Sequence, residues 1–134
     1  MQNSYVTFAA DGFNTSEPKD YYINSNCYGD DVGKWLLEEF QKQKILYEKD
    51  GPDQEDFGWY VNFSVNNKKF TCLIIYSEGE GLWKLVLEKN AGLFGTILGQ
   101  RNKKVSSTAV DIIDKILKAN PDIREIEWHN VSIT

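Results

Sequence analysis

Residues 58–76 read GWYVNFSVNNKKFTCLIIY, and this stretch decides the fold. Apolar and polar side chains alternate on both sides of a short polar centre, which is the pattern of a β-hairpin. Asn66-Asn67 favours a two-residue loop, because asparagine tolerates the positive φ angles that both central positions need. A four-residue loop would keep the large apolar side chains on the same face, whereas a three-residue loop would divide them. The pairs expected for the two-residue loop are Val65–Lys68, Phe63–Phe70, Val61–Cys72 and Trp59–Ile74.

The other face of this hairpin also carries apolar side chains. Leu73 and Ile75 lie on it, and the following run, residues 82–88, adds Leu82 and Val86. Strands that are apolar on both sides are usually covered on both sides. We therefore expect a loop or another molecule to cover this second face.

Two amphipathic segments complete the pattern. Val32, Leu36 and Phe40 recur at helical spacing after Gly29-Asp30-Asp31, which predicts an acidic cap at the helix start. The second segment carries its stripe at Val110, Ile113 and Leu117 and ends at Asn120-Pro121.

These segments predict one α+β domain over residues 1–134, built as a two-layer sandwich. Its mainly antiparallel sheet has four to six strands, and two helices pack on one face. The predicted strands are centred on 58–66, 69–76 and 82–88, with a last strand from Ile123 to Trp128 and a candidate short strand over residues 21–25. The predicted helices cover about 31–44 and 107–119. Residues 1–20 are expected to attach loosely.

Composition excludes several functions. The net charge is −5, with 15 Lys and Arg against 20 Asp and Glu. The one basic cluster, Arg101, Lys103 and Lys104, is too small for a phosphate backbone, so nucleic-acid binding is not expected. No apolar run approaches the length that crosses a bilayer, and we expect a cytoplasmic protein without membrane contact. In that compartment Cys27 and Cys72 are expected as free thiols.

No catalytic, cofactor or metal site is predicted. His129 is the only histidine, and it has no cysteine close by and no nucleophile at a recognisable spacing. The glycines at 92, 95 and 99 miss the phosphate-loop pattern, because Gln100-Arg101 follows where Lys-Ser/Thr is needed. Glu55 and Asp56 adjoin one another in sequence, so in a strand they would point to opposite faces.

Two segments are candidate contact surfaces. The acidic stretch 48–56 is typical of a solvated loop, or alternatively of a docking patch for a basic partner. Four apolar residues between the glycines, Leu93, Phe94, Ile97 and Leu98, would either cover the second face or form a lid or partner-binding tip. The residues predicted to form a partner or ligand surface are Asp53, Glu55, Asp56, Tyr60, Leu93 and Phe94.

Residues 28–32, YGDDV, lead into Trp35-Leu36, and residues 55–59 read EDFGW. Both motifs resemble those of a group of small uncharacterised bacterial proteins, as do the last helix, its Asn-Pro exit and Trp128. The resemblance covers the chain from residue 28 onward. It implies a single bacterial cytosolic domain and no catalytic activity.

The function expected from these observations is a non-enzymatic protein-binding module, with an immunity or inhibitor-type protein as one form. A homodimer through the second face of the sheet is a further candidate. The alternative is a small-molecule-binding protein or enzyme with an aromatic pocket between sheet and helices. Tyr21, Tyr22 and Tyr60 would line the rim of that pocket, and the Gly92–Gly99 loop would form its lid.

Overall fold

The structure, a computed structural model, describes residues 2–23, 27–55, 58–89 and 107–132. Seven strands and two helices lie in these ranges. The strands are β1 (Gln2–Ala10), β2 (Leu46–Tyr47), β3 (Asp53–Glu55), β4 (Gly58–Val65), β5 (Lys68–Ser77), β6 (Leu82–Lys89) and β7 (Ile123–Ser132). The helices are α1 (Asp30–Lys42) and α2 (Ser107–Ala119).

The strands form one antiparallel sheet in the order β2-β4-β5-β6-β1-β7. The predicted α+β fold with two helices packing on the sheet is confirmed. The described sheet has seven strands rather than four to six, because two short strands share one edge: β2 pairs with the end of β4 and β3 with its beginning. The first strand, β1, lies between β6 and β7 and is therefore an integral part of the sheet.

The hairpin of β4 and β5 has the predicted two-residue loop. All four expected pairs form, from Val65–Lys68 to Trp59–Ile74. Asn66 and Asn67 have φ angles of 53° and 65°, the left-handed values that a type I′ turn requires. This local agreement between turn chemistry and alternation explains why the register was predictable.

The core lies between the helices and one face of the sheet. From β4 and β5 it receives the predicted side chains of Trp59, Val61, Phe63, Phe70, Cys72 and Ile74, all buried. Val6 and Phe8 of β1 and Trp83, Leu85 and Leu87 of β6 extend the same layer. The helices supply Val32, Leu36, Leu37 and Phe40 from α1 and Ala109, Ile113, Ile116 and Leu117 from α2. Cys72 is a buried free cysteine, as expected, and Cys27 is half-buried.

Helix α1 begins differently from the prediction. Gly29, with φ 138°, is the N-cap residue, and no side chain caps the helix there. The helix begins at Asp30, one residue earlier than expected. The Asp31 carboxylate accepts hydrogen bonds from the backbone N–H groups of Val32 at 2.9 Å and Asn14 at 2.7 Å. The acidic first turn thus serves two segments of chain rather than only its own helix end.

Two other local predictions were wrong. Tyr21 to Ile23, the described part of the candidate strand at 21–25, form a turn and bend and not a strand. The acidic stretch predicted as a loop contains β3, whose pairing with β4 gives residues 53–55 a strand conformation. In both places hydrogen bonds to distant residues, which a local pattern does not contain, decide the backbone.

Candidate functional site

The face of the sheet opposite the helices, here called the open face, carries a continuous row of side chains. Successive cross-strand pairs join six residues in six strands, and directly paired residues share a face. In spatial order the members of this central row are Asp53, Tyr60, Leu73, Val86, Tyr5 and His129. At about 4.8 Å between strands, the row spans about 24 Å. Neither described helix packs on this face, and its side chains are half-buried.

One end of the central row is an aromatic and cationic cluster. The Tyr5 and His129 rings stack at 4.7 Å between centroids, with planes 20° apart. Lys84 Nζ lies 5.0 Å from the Tyr5 ring centroid, a cation–π distance. Thr7 Oγ1 and His129 Nε2 are 3.4 Å apart. A flat aromatic surface with a cation and a histidine suits contact with another macromolecule.

The other end of the central row is acidic, and here two predicted site residues meet. Asp53 and Tyr60 are direct cross-strand partners, so the carboxylate and the phenol lie side by side on the open face. Lys49 Nζ donates a 2.6 Å hydrogen bond to Asp53 Oδ1. The Lys49 side chain is 61% exposed and that of Asp53 is 32% exposed, so water screens this ion pair, and a partner's cation can replace the lysine.

The other predicted site residues are only partly described. Glu55 pairs through its backbone with Gly58 at the end of β3. Asp56, Leu93 and Phe94 lie outside the described residues, as does the whole segment from Gly92 to Gly99. The prediction that this segment covers the open face therefore stays a prediction.

A second cluster, not predicted from sequence, surrounds the buried carboxylate of Asp30, which is 3% exposed. Tyr22 donates to its Oδ1 at 2.7 Å, and Tyr21 donates to its Oδ2. The hydrogen bond to Asp30 raises the pKa of Tyr21 to about 12. Burial, with the hydrogen bond to Asp30, raises the pKa of Tyr22. Lys34 Nζ is 4.0 Å from Asp30 Oδ2. The cluster fixes the loop before α1 to the helix start.

The candidate aromatic pocket was expected in this region, where the described aromatic side chains pack against one another. Tyr22 packs edge-on against Trp59 at 5.6 Å and against Tyr28 at 6.0 Å. Trp59 Nε1 donates to the Cys27 carbonyl at 2.8 Å. Tyr60 belongs to the open face, on the other side of the sheet from Tyr21 and Tyr22. The three tyrosines therefore do not line one cleft.

The described residues hold no group of three or more His, Cys, Asp or Glu side chains that could bind a metal ion. No helix among them has the length and apolarity to cross a membrane. No protein-family model, no curated protein and no solved structure matches the chain. The central row on the open face is therefore the described feature that bears most on function.

Sequence reasoning missed the Tyr5–His129 end of the central row. It treated His129 as incidental, because nothing near it in the sequence suggested a site. The available signal was the pairing of the first strand with the last. If Val6 and Trp128 both face the core, then Tyr5 and His129, one position away from them, must meet on the opposite face.

Proposed function

We propose that the protein is a non-enzymatic protein-binding module whose open face docks on another protein. The observation that carries this proposal is the central row: six side chains from six strands, apolar at its centre and charged or polar at its ends. A centre of Leu73 and Val86 between Tyr60 and Tyr5 has the composition of an interface core with a polar rim.

The dimensions support the same proposal. A row about 24 Å long matches the width of a standard interface, which buries roughly 800 Å² on each partner. Tyrosine and aliphatic side chains on a rigid sheet lose little conformational freedom on binding, because their positions are already fixed by the strands. In contrast, the layer between the sheet and the helices is occupied by fully buried side chains such as Phe40 and Leu85. It therefore gives a small-molecule pocket at that place little support.

The partner that fits best is a basic protein. The chain has a net charge of −5, and the Asp53 end of the central row carries a carboxylate whose cation partner is an exposed lysine. Charge complementarity of this kind speeds association and selects the partner. An immunity or inhibitor protein that neutralises a basic protein in the bacterial cytoplasm is the concrete form we propose.

A co-purification with matched charge reversals tests the proposal. The tagged protein is expected to retain a basic partner from its native host at low salt and to release it at high salt. The Asp53→Lys variant should lose the partner. Glu38→Lys makes the same change on the exposed side of α1 and should retain it. Equal recovery by both variants, or a partner retained at every salt concentration, contradicts the proposal.

Self-association is distinguished by light scattering on the purified protein alone. A monomer at high concentration requires a different protein as the partner. A dimer that Tyr60→Ala dissociates would instead identify a second copy of this chain as the occupant of the open face.

A further inference from the structure

We propose a second binding site, for an acidic peptide segment with an apolar side chain, in a groove beside the β4–β5 turn. The groove, here called the hairpin groove, has a volume of about 490 Å³. It is lined by Lys44, Ile45, Leu46, Ser64, Val65, Asn66, Asn67 and Lys69. It shares no residue with the central row, although Leu46, Ser64 and Lys69, which pair across β2, β4 and β5, lie on the same face nearer the turn. Because different residues carry it, this inference does not depend on the proposed function.

The groove arises from how α1 ends beside a hairpin that projects past its neighbour. Ile45 N–H donates to the Phe40 carbonyl at 2.8 Å, which closes the last helical turn. Lys44 takes the left-handed conformation there, with φ 59°, at a position usually filled by glycine. The next strand, β2, has only two residues and reaches Ser64, so the turn of the hairpin extends beyond it. A lysine side chain thus lies at a position where helices that end in the left-handed conformation usually have glycine.

The backbone is unusual on both sides of the groove. Four described residues other than glycine have positive φ angles, and three of them line it: Lys44, Asn66 and Asn67. Such conformations concentrate at binding sites. Asparagine is the expected residue in a type I′ turn, so Lys44 is the informative member of this set.

The chemistry of the lining selects the ligand. No described carboxylate lies within ion-pair distance of Lys44 or Lys69, although the chain as a whole has an excess of acidic residues. Leu46 is 74% exposed, the most exposed of the large apolar side chains in the described ranges. Two cations beside an exposed leucine favour a ligand that has carboxylates flanking an apolar side chain.

The size, charge and apolar lining of the hairpin groove together favour a peptide over other ligands. Its volume lies within the range of about 300–1,000 Å³ that is typical of ligand sites, enough for a few residues of a peptide. Two lysines are too few to follow a phosphate backbone, and a phosphate alone would leave Leu46 without a contact. The amide and hydroxyl groups of Asn66, Asn67 and Ser64 can donate hydrogen bonds to the peptide backbone. The occupant is therefore a short acidic segment of another protein.

Selection from a displayed library of random peptides against the purified protein tests this. Peptides with Asp or Glu on both sides of Leu, Ile or Phe are expected to be enriched. The best synthetic peptide is then titrated against Lys69→Glu and Lys68→Glu. Lys68 and Lys69 are adjacent and point to opposite faces of β5, and only Lys69 lines the groove. Lys69→Glu should weaken binding roughly five- to tenfold, since an attraction becomes a repulsion, and Lys68→Glu should change it less than twofold.

Several outcomes would overturn the inference. Enrichment of basic peptides, or of no common pattern, is one. Equal losses in Lys68→Glu and Lys69→Glu would show only a general effect of charge. Complete displacement of the peptide by excess inorganic phosphate would identify an anion site without a role for Leu46. If Lys69→Glu proved unstable, Lys44→Glu, on the other side of the groove, would replace it, with the same loss expected.

Discussion

Trp59 and Trp83 both belong to the core face of the sheet, at 4% and 0% exposure, but their indole N–H groups differ. Trp59 Nε1 donates to the Cys27 carbonyl, which connects β4 to the loop before α1. Trp83 Nε1 is buried and has no hydrogen-bond acceptor among the described residues. A buried donor without an acceptor costs about 1–3 kcal/mol, whereas a hydrogen bond that is made contributes about 0.5–1.5 kcal/mol, so the two tryptophans are energetically unequal.

Trp59→Ala should be among the most destabilising single substitutions. It removes a large buried ring together with the hydrogen bond to Cys27, and we expect a loss of about 3–5 kcal/mol in the free energy of unfolding. Urea denaturation followed by circular dichroism measures this. A loss below about 1 kcal/mol would contradict the assignment of Trp59 to the core.

Phenylalanine substitutions isolate the hydrogen bond. Trp59→Phe and Trp83→Phe remove the same atoms, so the difference between them reports mainly the fate of the N–H group. We expect Trp59→Phe to be more destabilising than Trp83→Phe by about 1 kcal/mol. Matched denaturation curves measure the difference, and a larger loss for Trp83→Phe would refute it.

The tyrosines at Asp30 make stability depend on alkaline pH. Tyr21 and Tyr22 have pKa values above the ordinary 10.0, that of Tyr21 being raised to about 12. The folded protein holds these protons more tightly than the unfolded chain does. The stabilisation is therefore complete below pH 10 and is lost as the pH rises through 10 towards 12. The free energy of unfolding of the wild type should fall across this range more steeply than that of Tyr21→Phe/Tyr22→Phe.

Other ionisable groups contribute equally to the pH dependence of the wild type and of the double variant. Burial raises the pKa of Cys72 to about 12, so this thiol also lowers the free energy of unfolding at alkaline pH, but it does so in both proteins. Parallel curves for the wild type and the double variant would mean that the two phenols do not hold their protons at Asp30.

Within α1, Gly33 shows how packing overrides the preference of an isolated helix. Replacing a helical glycine with alanine normally stabilises by about 1 kcal/mol. Here an added Cβ would lie 2.6 Å from Pro52 Cβ and 3.3 Å from Ile74 Cδ1. Since the proline ring is rigid, the helix or the loop that carries Pro52 must move.

We therefore expect Gly33→Ala to lower the melting temperature, contrary to the helix-propensity rule. Gly51→Ala is the matched control, because nothing lies within 4 Å of its added Cβ. Thermal unfolding of both variants measures the contrast. If Gly33→Ala were as stable as the wild type, the close approach of Pro52 to α1 would be wrong.

The helices and strands differ in how far the sequence could predict them. The hairpin and both helices were predictable because turn residues, alternation and helical spacing are local signals. The turn at Tyr21–Ile23 and the strand β3 were not, since Asp30 and β4 determine them from elsewhere in the chain. Glu125, with φ 58°, lies where the register of β7 against β1 shifts, and no local signal marks that bulge.

The sheet as a whole is held together by β1, which joins β7 to the other strands. This strand pairs with β6 on one side and β7 on the other, and it is the only described partner of β7. Val6 and Phe8 are fully buried. The pattern of residues 4–9 alternates only weakly, so its central place was not evident from the sequence.

Removal of residues 1–10 should abolish cooperative folding, because β7 would lose its described strand partner and β6 one of its two. The truncated chain is expected to lack a sigmoidal urea transition in circular dichroism. Deletion of only Gly79 and Glu80, in the turn between β5 and β6, is expected to retain the transition. A folded, cooperative chain without residues 1–10 would contradict this topology.

The candidate site follows the same division between local and distant signals. Asp53 and Tyr60 lie close in the chain, and both were predicted for a partner surface. Tyr5 and His129 join the central row only because the first and last described strands pair. Their place therefore needed the topology and not just the pattern.

The position of β1 has a consequence for synthesis on the ribosome. Thr7 and His129, which meet across the β1–β7 pair, are 122 positions apart. At about 5–20 residues per second, β1 emerges roughly 6–25 seconds before its last neighbour. Until β6 emerges, the nascent chain presents Val6 and Phe8 without a strand partner, and β7 completes the pairing of β1 only at the end of the interval. The first strand is thus the segment of this chain that a chaperone would be most useful for shielding.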